Sequence, residues 1–399
     1  MGARWTTDVT VLGGCGHVGI PLGLALADSG LTVTLYDTNL AAVDSVGSGK
    51  MPHLEQGASE VLLRTLADKR LSVSADVSSV GRSEFLVIVV GTPIDKHLNP
   101  DPQAVVEVLE GVADEMNDGQ VLILRSTVFP GVTRMVERLV ERLGKSIDVA
   151  FCPERIAEGH AMEELHSLPQ IVAARTDHAY DRAASLFGRL TKSIVRVEPE
   201  EAELAKLFTN SYRYIKFAAA NQLFMMANDF GLDYERIRSA VVEEYPRAAD
   251  LPGPGFAAGP CLLKDTMQLA AFNNNNFALG QASMQINEGL PLYLVSRMAA
   301  RFDLDAMTVG ILGMAFKGGS DDNRSSLSYK LKRVLKVRAG SVLTTDPFVR
   351  NDEELSPLDH VLERADLIVI GSPHQDYADL DIRQPVVDIW NLRGQGVVV

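Results

Sequence analysis

The chain has 399 residues, of which 46% are hydrophobic and 23% charged, and its formal net charge at pH 7 is -14. This length predicts two or three domains, and the negative charge argues against nucleic acid or an anionic membrane as a partner, because both would repel the protein. The sequence shows no apolar run of membrane-spanning length and no secretion signal. The three cysteines lack the spacing of disulfide or metal sites. Together these features predict a cytoplasmic protein without a metal.

The first pattern along the chain is a strand, a glycine-rich loop, a helix and a second strand that ends at Asp37. In this context the loop is typical of dinucleotide binding, since Gly14 permits the tight turn, Gly16 lets a pyrophosphate approach the backbone, and Gly19 lets the helix pack closely. The Asp37 carboxylate can accept hydrogen bonds from ribose hydroxyls and would repel a 2′-phosphate, which favours NAD over NADP. A tight turn without a cofactor is the alternative.

Apolar runs rich in β-branched residues predict the strands of one parallel sheet. These strands are residues 8–12, 32–36, 85–90, 121–124 and 148–151. The last three are followed by the polar clusters Gly91-Thr92-Pro93, Ser126-Thr127-Val128 and Cys152-Pro153-Glu154-Arg155. Because the carboxyl ends of parallel strands share one edge of the sheet, where ligands bind, we expect these clusters to line one site.

Residues 201–230 contain no proline and only helix-compatible residues, which predicts a helix of about 45 Å at about 1.5 Å per residue. Lys206 and Asn210 are four residues apart and therefore share one face of this helix. That face is expected to meet a ligand, and a solvated lysine is the alternative. Apolar residues on the same helix, among them Leu207 and Leu223, predict that it packs against a second copy in a homodimer.

A loop rich in glycine and proline at residues 251–260 specifies a backbone path that neither a helix nor a central strand follows. It leads to Cys261, with Lys264 and Asp265 at the start of a predicted helix. A thiol near a helix N-terminus and beside a lysine is the setting that makes thiolate available at neutral pH, so Cys261 is a candidate nucleophile. The alternative is a small buried side chain.

A second long helix is predicted at residues 280–300, after which strands and helices alternate to the end of the chain. The predicted elements are strands at 308–312, 341–344, 367–370 and 386–389 and a helix at 326–337. They describe a second nucleotide-binding-like sheet that lacks a full glycine motif. Lys317 and Arg324 are the basic residues expected to face phosphates, and exposed surface charge is the alternative.

Together these motifs resemble the UDP-glucose/GDP-mannose dehydrogenases, which oxidise the C6 alcohol of a nucleotide sugar to a carboxylate. The matching motifs are residues 14–19, 91–93, 126–131, 152–159, 203–210 with Asn221, 259–265, and 316–324. The resemblance covers nearly the whole chain and implies an α/β protein with two Rossmann-like doubly wound domains joined by a long central helix in an all-α middle domain. The implied boundaries are an NAD-binding domain at 1–198, a helical dimerisation and substrate domain at 199–303, and a nucleotide-sugar-binding domain at 304–399.

The resemblance also implies roles for individual residues. The catalytic set is Cys261 as nucleophile with Thr127, Glu154, Lys206, Asn210 and Asp265. The NAD contacts are Gly14, Gly16, His17, Val18, Gly19, Asp37, Thr92, Thr127, Glu158, Lys264 and Arg324. The substrate contacts are Glu154, Arg155, Lys206, Asn210, Gly255, Phe256, Lys317 and Arg247, the last reaching across a dimer interface.

The chain departs from the usual family pattern at four positions, Ala258, Leu263, Gly318 and Ser325. These departures leave the catalytic set intact and bear on the shape of the substrate pocket. The cluster at residues 152–155 looks more like the branch that acts on UDP-N-acetylhexosamines, such as UDP-ManNAc or UDP-GlcNAc, than like the UDP-glucose branch.

The family chemistry is a four-electron oxidation in which the Cys261 thiolate captures an aldehyde as a thiohemiacetal, which is then oxidised to a thioester and hydrolysed. Two alternatives remain at this point. One is a two-electron dehydrogenase of the hydroxyacid or 6-phosphogluconate type, and the other is a catalytically idle nucleotide-sugar sensor. Neither alternative needs a nucleophile.

Overall fold

The structure is a computed structural model that describes residues 5–92, 94–95, 100–397 and 399. The chain divides into two compact units, of which the first ends at Phe208 and the second begins at Thr209. The division falls inside one long helix, Pro199–Asp229.

An eight-stranded sheet forms the centre of the first unit. Its strands are β1 (Thr7–Leu12), β2 (Val33–Tyr36), β3 (Leu71–Ser74), β4 (Ser83–Ile88), β5 (Val121–Leu124), β6 (Asp148–Phe151), β7 (Gln170–Ala174) and β8 (Ile194–Val197). They are ordered β3-β2-β1-β4-β5-β6-β7-β8, and all neighbouring pairs are parallel except β6 and β7. The strand order reverses between β1 and β4, which is where ligands bind in a doubly wound sheet.

Helices cover both faces of this sheet. They are α1 (Gly19–Asp28), α2 (Leu40–Gly47), α3 (Ala58–Ala67), α4 (Ala104–Val112), α5 (Val132–Arg142), α6 (Ala161–Ser167), α7 (Asp177–Phe187) and the start of α8 (Pro199–Asp229). Alternate residues of β5 belong to two separate apolar clusters, Val121 and Ile123 to one and Leu122 and Leu124 to the other. Because successive side chains of a strand point to opposite faces, a strand buried on both faces has a continuous apolar sequence.

Glu203 ties the start of α8 to the rest of the first unit. Its buried carboxylate accepts hydrogen bonds from the backbone N–H groups of Gly131 (2.6 Å) and Thr133 (2.8 Å) and from the Thr133 hydroxyl (2.6 Å). Gly131 directly precedes α5, so the carboxylate satisfies N–H groups that a helix N-terminus leaves without intrahelical partners.

The second unit contains the rest of α8, further helices and a four-stranded sheet. Its helices are α9 (Tyr234–Val242), α10 (Leu262–Phe272), α11 (Ala278–Arg301), α12 (Leu327–Arg338) and α13 (Leu358–Arg364), and its strands are β9 (Thr308–Leu312), β10 (Ser341–Thr345), β11 (Leu367–Ile370) and β12 (Val386–Val387). The sheet order is β10-β9-β11-β12 and all pairs are parallel. The predicted second Rossmann-like sheet is therefore confirmed.

One predicted strand is too long. The sequence predicts a strand at residues 386–389, and the structure ends β12 at Val387. The Asp388 carboxylate accepts hydrogen bonds from the N–H groups of Trp390 (3.1 Å) and Arg393 (3.0 Å). These contacts turn the chain and end the strand, because an aspartate that bonds to nearby backbone competes with the sheet.

The predicted long helix is confirmed, but its apolar residues differ in exposure. Leu207 is buried within the chain, whereas another set of apolar side chains is exposed to solvent. The exposed set is Phe208, Tyr212, Leu223, Met226 and, just after the helix, Phe230, which is 82% exposed. Their spacing of mostly three or four residues places several of them on one side of the helix.

Candidate active site

The glycine loop after β1 has the geometry that the sequence predicts. A Cβ atom at Gly14 would lie 2.8 Å from Leu35 Cα, and one at Gly19 would lie 2.6 Å from Gly13 O, so neither position has room for a side chain. At Gly16 the nearest described atom to such a Cβ is Gly13 O at 3.6 Å, so the backbone stays open to an approaching phosphate at the start of α1.

Two predicted cofactor residues, His17 and Val18, belong to this loop, and a third, Asp37, lies beside it. Val18 immediately precedes α1, and the His17 ring stacks on the His53 ring with a centroid distance of 4.0 Å. The Asp37 carboxylate accepts hydrogen bonds from the N–H groups of Cys15 (3.0 Å) and Asn39 (3.0 Å). The acid at the end of β2 is thus held against the glycine loop, as dinucleotide binding requires.

The turns after β4 and β5 are joined by two hydrogen bonds. The Thr92 hydroxyl donates to the backbone carbonyl of Thr127 at 2.5 Å, and the Ser126 hydroxyl donates to the carbonyl of Val90 at 2.7 Å. Pro93, which the sequence assigned to the first turn, lies outside the described residues. The carboxyl ends of these neighbouring strands therefore bring Thr92 and Thr127 together.

Glu154 is held by an arginine that sequence reasoning missed. Arg125, which follows β5 and is 1% exposed, forms an ion pair with the Glu154 carboxylate. Arg125 also donates to Cys152 O (3.0 Å) and to Gln170 Oε1 (2.9 Å), and its guanidinium carbon lies 4.7 Å from the centroid of the Phe187 ring. The signal in the sequence was a charged residue directly after an apolar strand, where burial requires a partner.

Backbone groups complete the surroundings of Glu154. Its carboxylate accepts hydrogen bonds from the N–H groups of Arg155 (2.7 Å) and Ile156 (3.0 Å). The Arg155 guanidinium, predicted to contact substrate, donates to the carbonyl of Pro169. Glu154 is therefore a fixed, buried carboxylate rather than a mobile one.

A second missed residue, Glu55, holds the loop that carries Glu158. Its buried carboxylate accepts hydrogen bonds from the N–H groups of Gly159 and Ala161, both at 2.8 Å. Glu158 itself is half-buried. The segment before α3 thus contacts both predicted cofactor loops, because His53 from the same segment stacks on His17.

In the second unit, Cys261 is exposed and directly precedes α10, where its carbonyl accepts the first intrahelical hydrogen bond from Asp265 N (2.9 Å). Four residues later, the Asp265 side chain is 0% exposed and accepts a hydrogen bond from Asn210 Nδ2 at 2.5 Å. Lys264 Nζ lies 2.7 Å from the same carboxylate. The structure therefore brings together Asn210, Lys264 and Asp265, and places the thiol at the N-terminus of the helix that carries the acid.

The loop before Cys261 is clamped by a buried amide and an aromatic ring. Asn221 accepts a hydrogen bond from Gly255 N (2.9 Å) and donates one to Gly255 O (3.0 Å). A Cβ at Gly255 would lie 2.2 Å from the Trp390 ring, and the buried Phe256 ring packs edge-on against that indole, with centroids 6.1 Å apart. Only glycine fits here.

The last part of the loop rests on the segment after β9. Gly259 has φ +98° and its N–H donates to Ser325 O at 3.3 Å, while a Cβ there would lie 2.6 Å from the Phe316 ring. The loop that leads to Cys261 is therefore held two residues before the thiol. Its sharp path is built from contacts with the segment after β9 and with Trp390 as well as from its own prolines.

The remaining predicted contact residues lie at different places in the second unit. Lys317 Nζ lies 5.6 Å from the centroid of the Phe316 ring. The half-exposed Arg324 side chain forms an ion pair with Asp322 (2.6 Å), and the exposed Arg247 lies against Tyr245, with 5.5 Å from its guanidinium carbon to the ring centroid. The structure therefore gives Arg324 and Arg247 contacts within the same unit.

The described ranges contain neither a metal-binding cluster nor a membrane-spanning helix. No group of three or more histidine, cysteine, aspartate or glutamate residues there could hold a metal ion. None of the helices described combines the length and hydropathy of a membrane span.

Comparison with known families agrees with this geometry. Three family models match consecutive parts of the chain: the NAD binding domain of the UDP-glucose/GDP-mannose dehydrogenase family at residues 7–191, its central domain at 200–289, and its UDP binding domain at 310–394. The chain belongs to the UDP-glucose/GDP-mannose dehydrogenase family. With the UDP binding domain present, it is an NAD-dependent oxidoreductase that acts on a UDP-sugar.

Individual members of the family are similar over almost their whole length. The UDP-N-acetyl-D-mannosamine dehydrogenase of Pyrococcus horikoshii is 30% identical over 381 residues, which cover 92% of this chain and 90% of that protein. A UDP-glucose 6-dehydrogenase of Haloferax volcanii is 28% identical, with 92% of each chain covered.

Solved structures of family members share the fold. The UDP-D-ManNAc dehydrogenase from Pyrococcus horikoshii superposes with a TM-score of 0.89 at 28% identity, covering 96% of both chains. A UDP-glucose dehydrogenase from Pyrobaculum islandicum has a TM-score of 0.88 at 27% identity, covering 97% of this chain and 95% of that one. Relatives of this similarity thus include enzymes named for an N-acetylated sugar and for glucose.

Proposed function

We propose that the chain oxidises the C6 alcohol of a UDP-N-acetylhexosamine, such as UDP-ManNAc or UDP-GlcNAc, to the carboxylate in two successive two-electron steps through Cys261. The observation that carries the proposal is the exposed Cys261 thiol at the N-terminus of α10, at the end of a loop clamped by Asn221 and Trp390. A helix N-terminus favours thiolate. The names of the N-acetyl-D-mannosamine dehydrogenases among the relatives support the choice of sugar.

The proposed roles follow from the contacts of the catalytic set. A base near Lys206 and Asp265 accepts the proton of the C6 hydroxyl as the aldehyde forms. The Cys261 thiolate then adds to the aldehyde carbon, and the resulting oxyanion is stabilised by Asn210 and Lys206. Asn210 is suited to this role because its hydrogen bond to Asp265 fixes its amide group.

The second half of the reaction turns the thiohemiacetal into a thioester and then into the acid. When bound, NAD supplies the hydride acceptor, and two molecules used in succession account for the four electrons. Water, oriented by Thr127 and deprotonated by Glu154, attacks the thioester carbon; the C–S bond breaks and the thiolate is restored. The glycine loop and Asp37 are the groups proposed to hold NAD.

The deciding experiment is a count of NADH formed per nucleotide sugar. Purified chain is incubated with limiting UDP-ManNAc, UDP-GlcNAc or UDP-glucose and excess NAD, and absorbance at the end point is compared with the sugar added. Two equivalents with an N-acetylated substrate support the proposal. One equivalent identifies a two-electron dehydrogenase of the hydroxyacid type, and none with any sugar identifies a binding protein; either result overturns the proposal.

Two substitutions separate the halves of the chemistry. Glu154→Gln cannot accept a proton from water, so we expect a burst of about two NADH per site followed by slow turnover, with a sugar nucleotide bound covalently at Cys261 by intact-mass measurement. Cys261→Ala should form no adduct. Because Glu154 also pairs with the buried Arg125, the burst is measured on protein shown to be folded by circular dichroism. Loss of activity without burst or adduct in folded protein removes Glu154 from this role.

We also propose that the protein is a homodimer built on α8. The exposed apolar side chains Tyr212, Leu223, Met226 and Phe230 support this proposal, because several large apolar side chains exposed along one helix are usually covered by a partner. In such a dimer Arg247 is the residue proposed to reach the partner's substrate. Light scattering at micromolar concentration is expected to give about twice the monomer mass, and Met226→Lys should shift the population toward monomer. A monomer in the unmodified chain contradicts the proposal.

The three-domain division predicted at 1–198, 199–303 and 304–399 remains a proposal. It is supported by the three family models, which match 7–191, 200–289 and 310–394. The cytoplasmic location predicted from cysteine usage likewise stays a prediction.

A further inference from the structure

The two sheets carry an aspartate at the same position of the fold, but with different surroundings. Asp37 follows β2 and is half-buried, whereas Asp346 follows β10 and has a side chain that is 0% exposed. Residues 313–319, which follow β9, are called here the lysine loop because they contain Lys317. The Asp346 carboxylate accepts hydrogen bonds from two N–H groups of this loop and two of its own turn: Met314 (2.6 Å), Ala315 (2.9 Å), Phe348 (2.8 Å) and Val349 (3.0 Å).

His374 adds a second tie between Asp346 and the lysine loop. Its Nε2 lies 3.0 Å from Asp346 Oδ2, and its Nδ1 lies 3.1 Å from the backbone nitrogen of Gly319. Because the Gly319 N–H can only donate, Nδ1 is the acceptor and Nε2 carries the proton that is donated to the carboxylate. The imidazole is 0% exposed, between the rings of Phe348 and Tyr377, with centroids 5.1 and 5.6 Å away.

These contacts leave Asp346 in an unusual electrostatic setting. Burial alone would raise the pKa of the carboxyl, but the hydrogen bond from His374 and those from the backbone together lower it below its usual range. A buried carboxylate that accepts five hydrogen bonds is fully used within the protein. In a dinucleotide-binding sheet, the acid at this position accepts hydrogen bonds from a ribose. In the second sheet that acid is Asp346, and its hydrogen bonds come from the chain itself.

The lysine loop is consequently fixed at both ends. Asp346 holds its first residues and His374 its last, and between them Gly318 lies so close to the next loop that a Cβ there would be 2.3 Å from Pro373 O. We propose that Asp346 and His374 are positioning residues, which hold the lysine loop in the shape in which Lys317 binds the diphosphate of the nucleotide sugar. This inference rests on the proposed function, in which the substrate is a nucleotide sugar, and on the substrate contact that the family resemblance implies for Lys317.

The contacts of Asp346 and His374 with the lysine loop are called here the brace, and their physical effect is preorganisation of the loop. A loop that is already ordered loses little conformational entropy when a phosphate binds, so its lysine binds with a smaller entropic cost. Removing the tie at Gly319 would leave the end of the loop free to sample other shapes, and affinity for the nucleotide part of the substrate would fall. The groups proposed to hold NAD, the glycine loop and Asp37, belong to the first sheet, so the affinity for NAD should not change.

The test uses the full chain with UDP as the probe, titrated by calorimetry. His374→Gln can place an amide nitrogen where Nε2 donates to Asp346 but loses the acceptor for Gly319, whereas His374→Asn can place an oxygen where Nδ1 accepts. We expect His374→Gln to weaken UDP binding about fivefold, which is the effect of one net hydrogen bond, and to raise KM for the nucleotide sugar while KM for NAD is unchanged. His374→Asn should bind UDP more tightly than His374→Gln, and the exposed His360→Gln should match the unmodified chain.

The result that would overturn the brace is a lowered unfolding midpoint in both His374 variants with an unchanged UDP dissociation constant, since that describes a residue that only stabilises the fold. If the variants do not fold, hydrogen exchange of the unmodified chain decides: the Gly319 amide should exchange slowly without UDP, and fast exchange overturns the proposal. A folded, unmodified chain that binds no UDP overturns the proposed nucleotide specificity, and the brace with it.

Discussion

Removing the Arg125 guanidinium tests whether the buried ion pair in the first unit maintains the geometry of Glu154. In Arg125→Met, an unbranched apolar side chain without a charge replaces the cation, so the Glu154 carboxylate loses its ionic partner. Cys152 O and Gln170 Oε1 lose a donor at the same time. The side chains of the pair are 1% and 11% exposed, so water can replace little of what is lost.

The size of the effect follows from this burial. Breaking a buried ion pair by removing one partner costs about 3–5 kcal/mol, a large part of the roughly 5–15 kcal/mol that stabilises a typical domain. A matched control is the exposed pair Arg142–Glu110, at 62% and 52% exposure and 3.3 Å apart. Arg142→Met should cost less than about 1 kcal/mol, because exposed pairs contribute little.

Urea unfolding followed by circular dichroism measures these differences. The transition that saturating NAD moves to higher urea belongs to the NAD-binding unit and is the one to compare. The loss of unfolding free energy in the double variant Arg125→Met with Glu154→Gln should be smaller than the sum of the two single losses by about 1–3 kcal/mol. The double variant leaves no buried charge without a partner. A loss for Arg125→Met equal to that for Arg142→Met, or strict additivity in the double variant, would refute the reasoning.

Iodoacetamide should alkylate Cys261 alone between about pH 7 and about pH 9, because the other two thiols stay protonated there. Burial raises the pKa of Cys15 and of Cys152 to about 12, and at Cys15 the nearby Asp37 carboxylate adds to the effect. Peptide mapping that finds a second labelled cysteine in folded protein contradicts this. Asp37→Asn removes the charge that repels a 2′-phosphate, so the ratio of kcat/KM for NAD to that for NADP should fall about tenfold, or about 1.4 kcal/mol. An unchanged ratio would assign the discrimination to other residues. Glu203→Gln weakens the charged hydrogen bonds at the start of α5 and should cost about 1.5–3 kcal/mol, whereas the exposed Glu141→Gln should change stability by less than about 0.5 kcal/mol. Equal urea midpoints for these two variants would show that the cap contributes nothing.

The sequence was most informative where a local pattern has a local cause. The strand, glycine loop, helix and acid of residues 8–37 were predicted because each signal lies within a few residues of the next. Strands at 121–124 and 148–151 were predicted to the residue, since continuous apolar runs are typical of strands buried on both faces. The strand Leu71–Ser74 was missed because a four-residue edge strand with alternate serines resembles a loop.

The candidate site was harder to predict wherever a role depends on a distant partner. Nothing near Arg125 in the chain indicates that Glu154, 29 residues later, neutralises it. The same holds for Glu55, whose hydrogen-bond donors are more than 100 residues away. The pair of Arg324 and Asp322 is close in sequence, only two residues apart, and the sequence pattern alone still does not reveal that the two side chains form an ion pair. Such contacts are set by the folded chain, so composition and spacing can indicate that a buried charge has a partner but do not identify it.

The strand order of the first sheet has a consequence for synthesis on the ribosome. The central strand β1 is made first, β2 joins it within about 30 residues, and β4 to β8 are then added one after another toward a single edge. Each new strand from β4 onward therefore finds its partner edge already translated and does not wait for a later segment. Because the chain is made from its N-terminus at about 5–20 residues per second, the sheet can grow outward in step with elongation, and its exposed edge at any moment is the docking surface for the next strand.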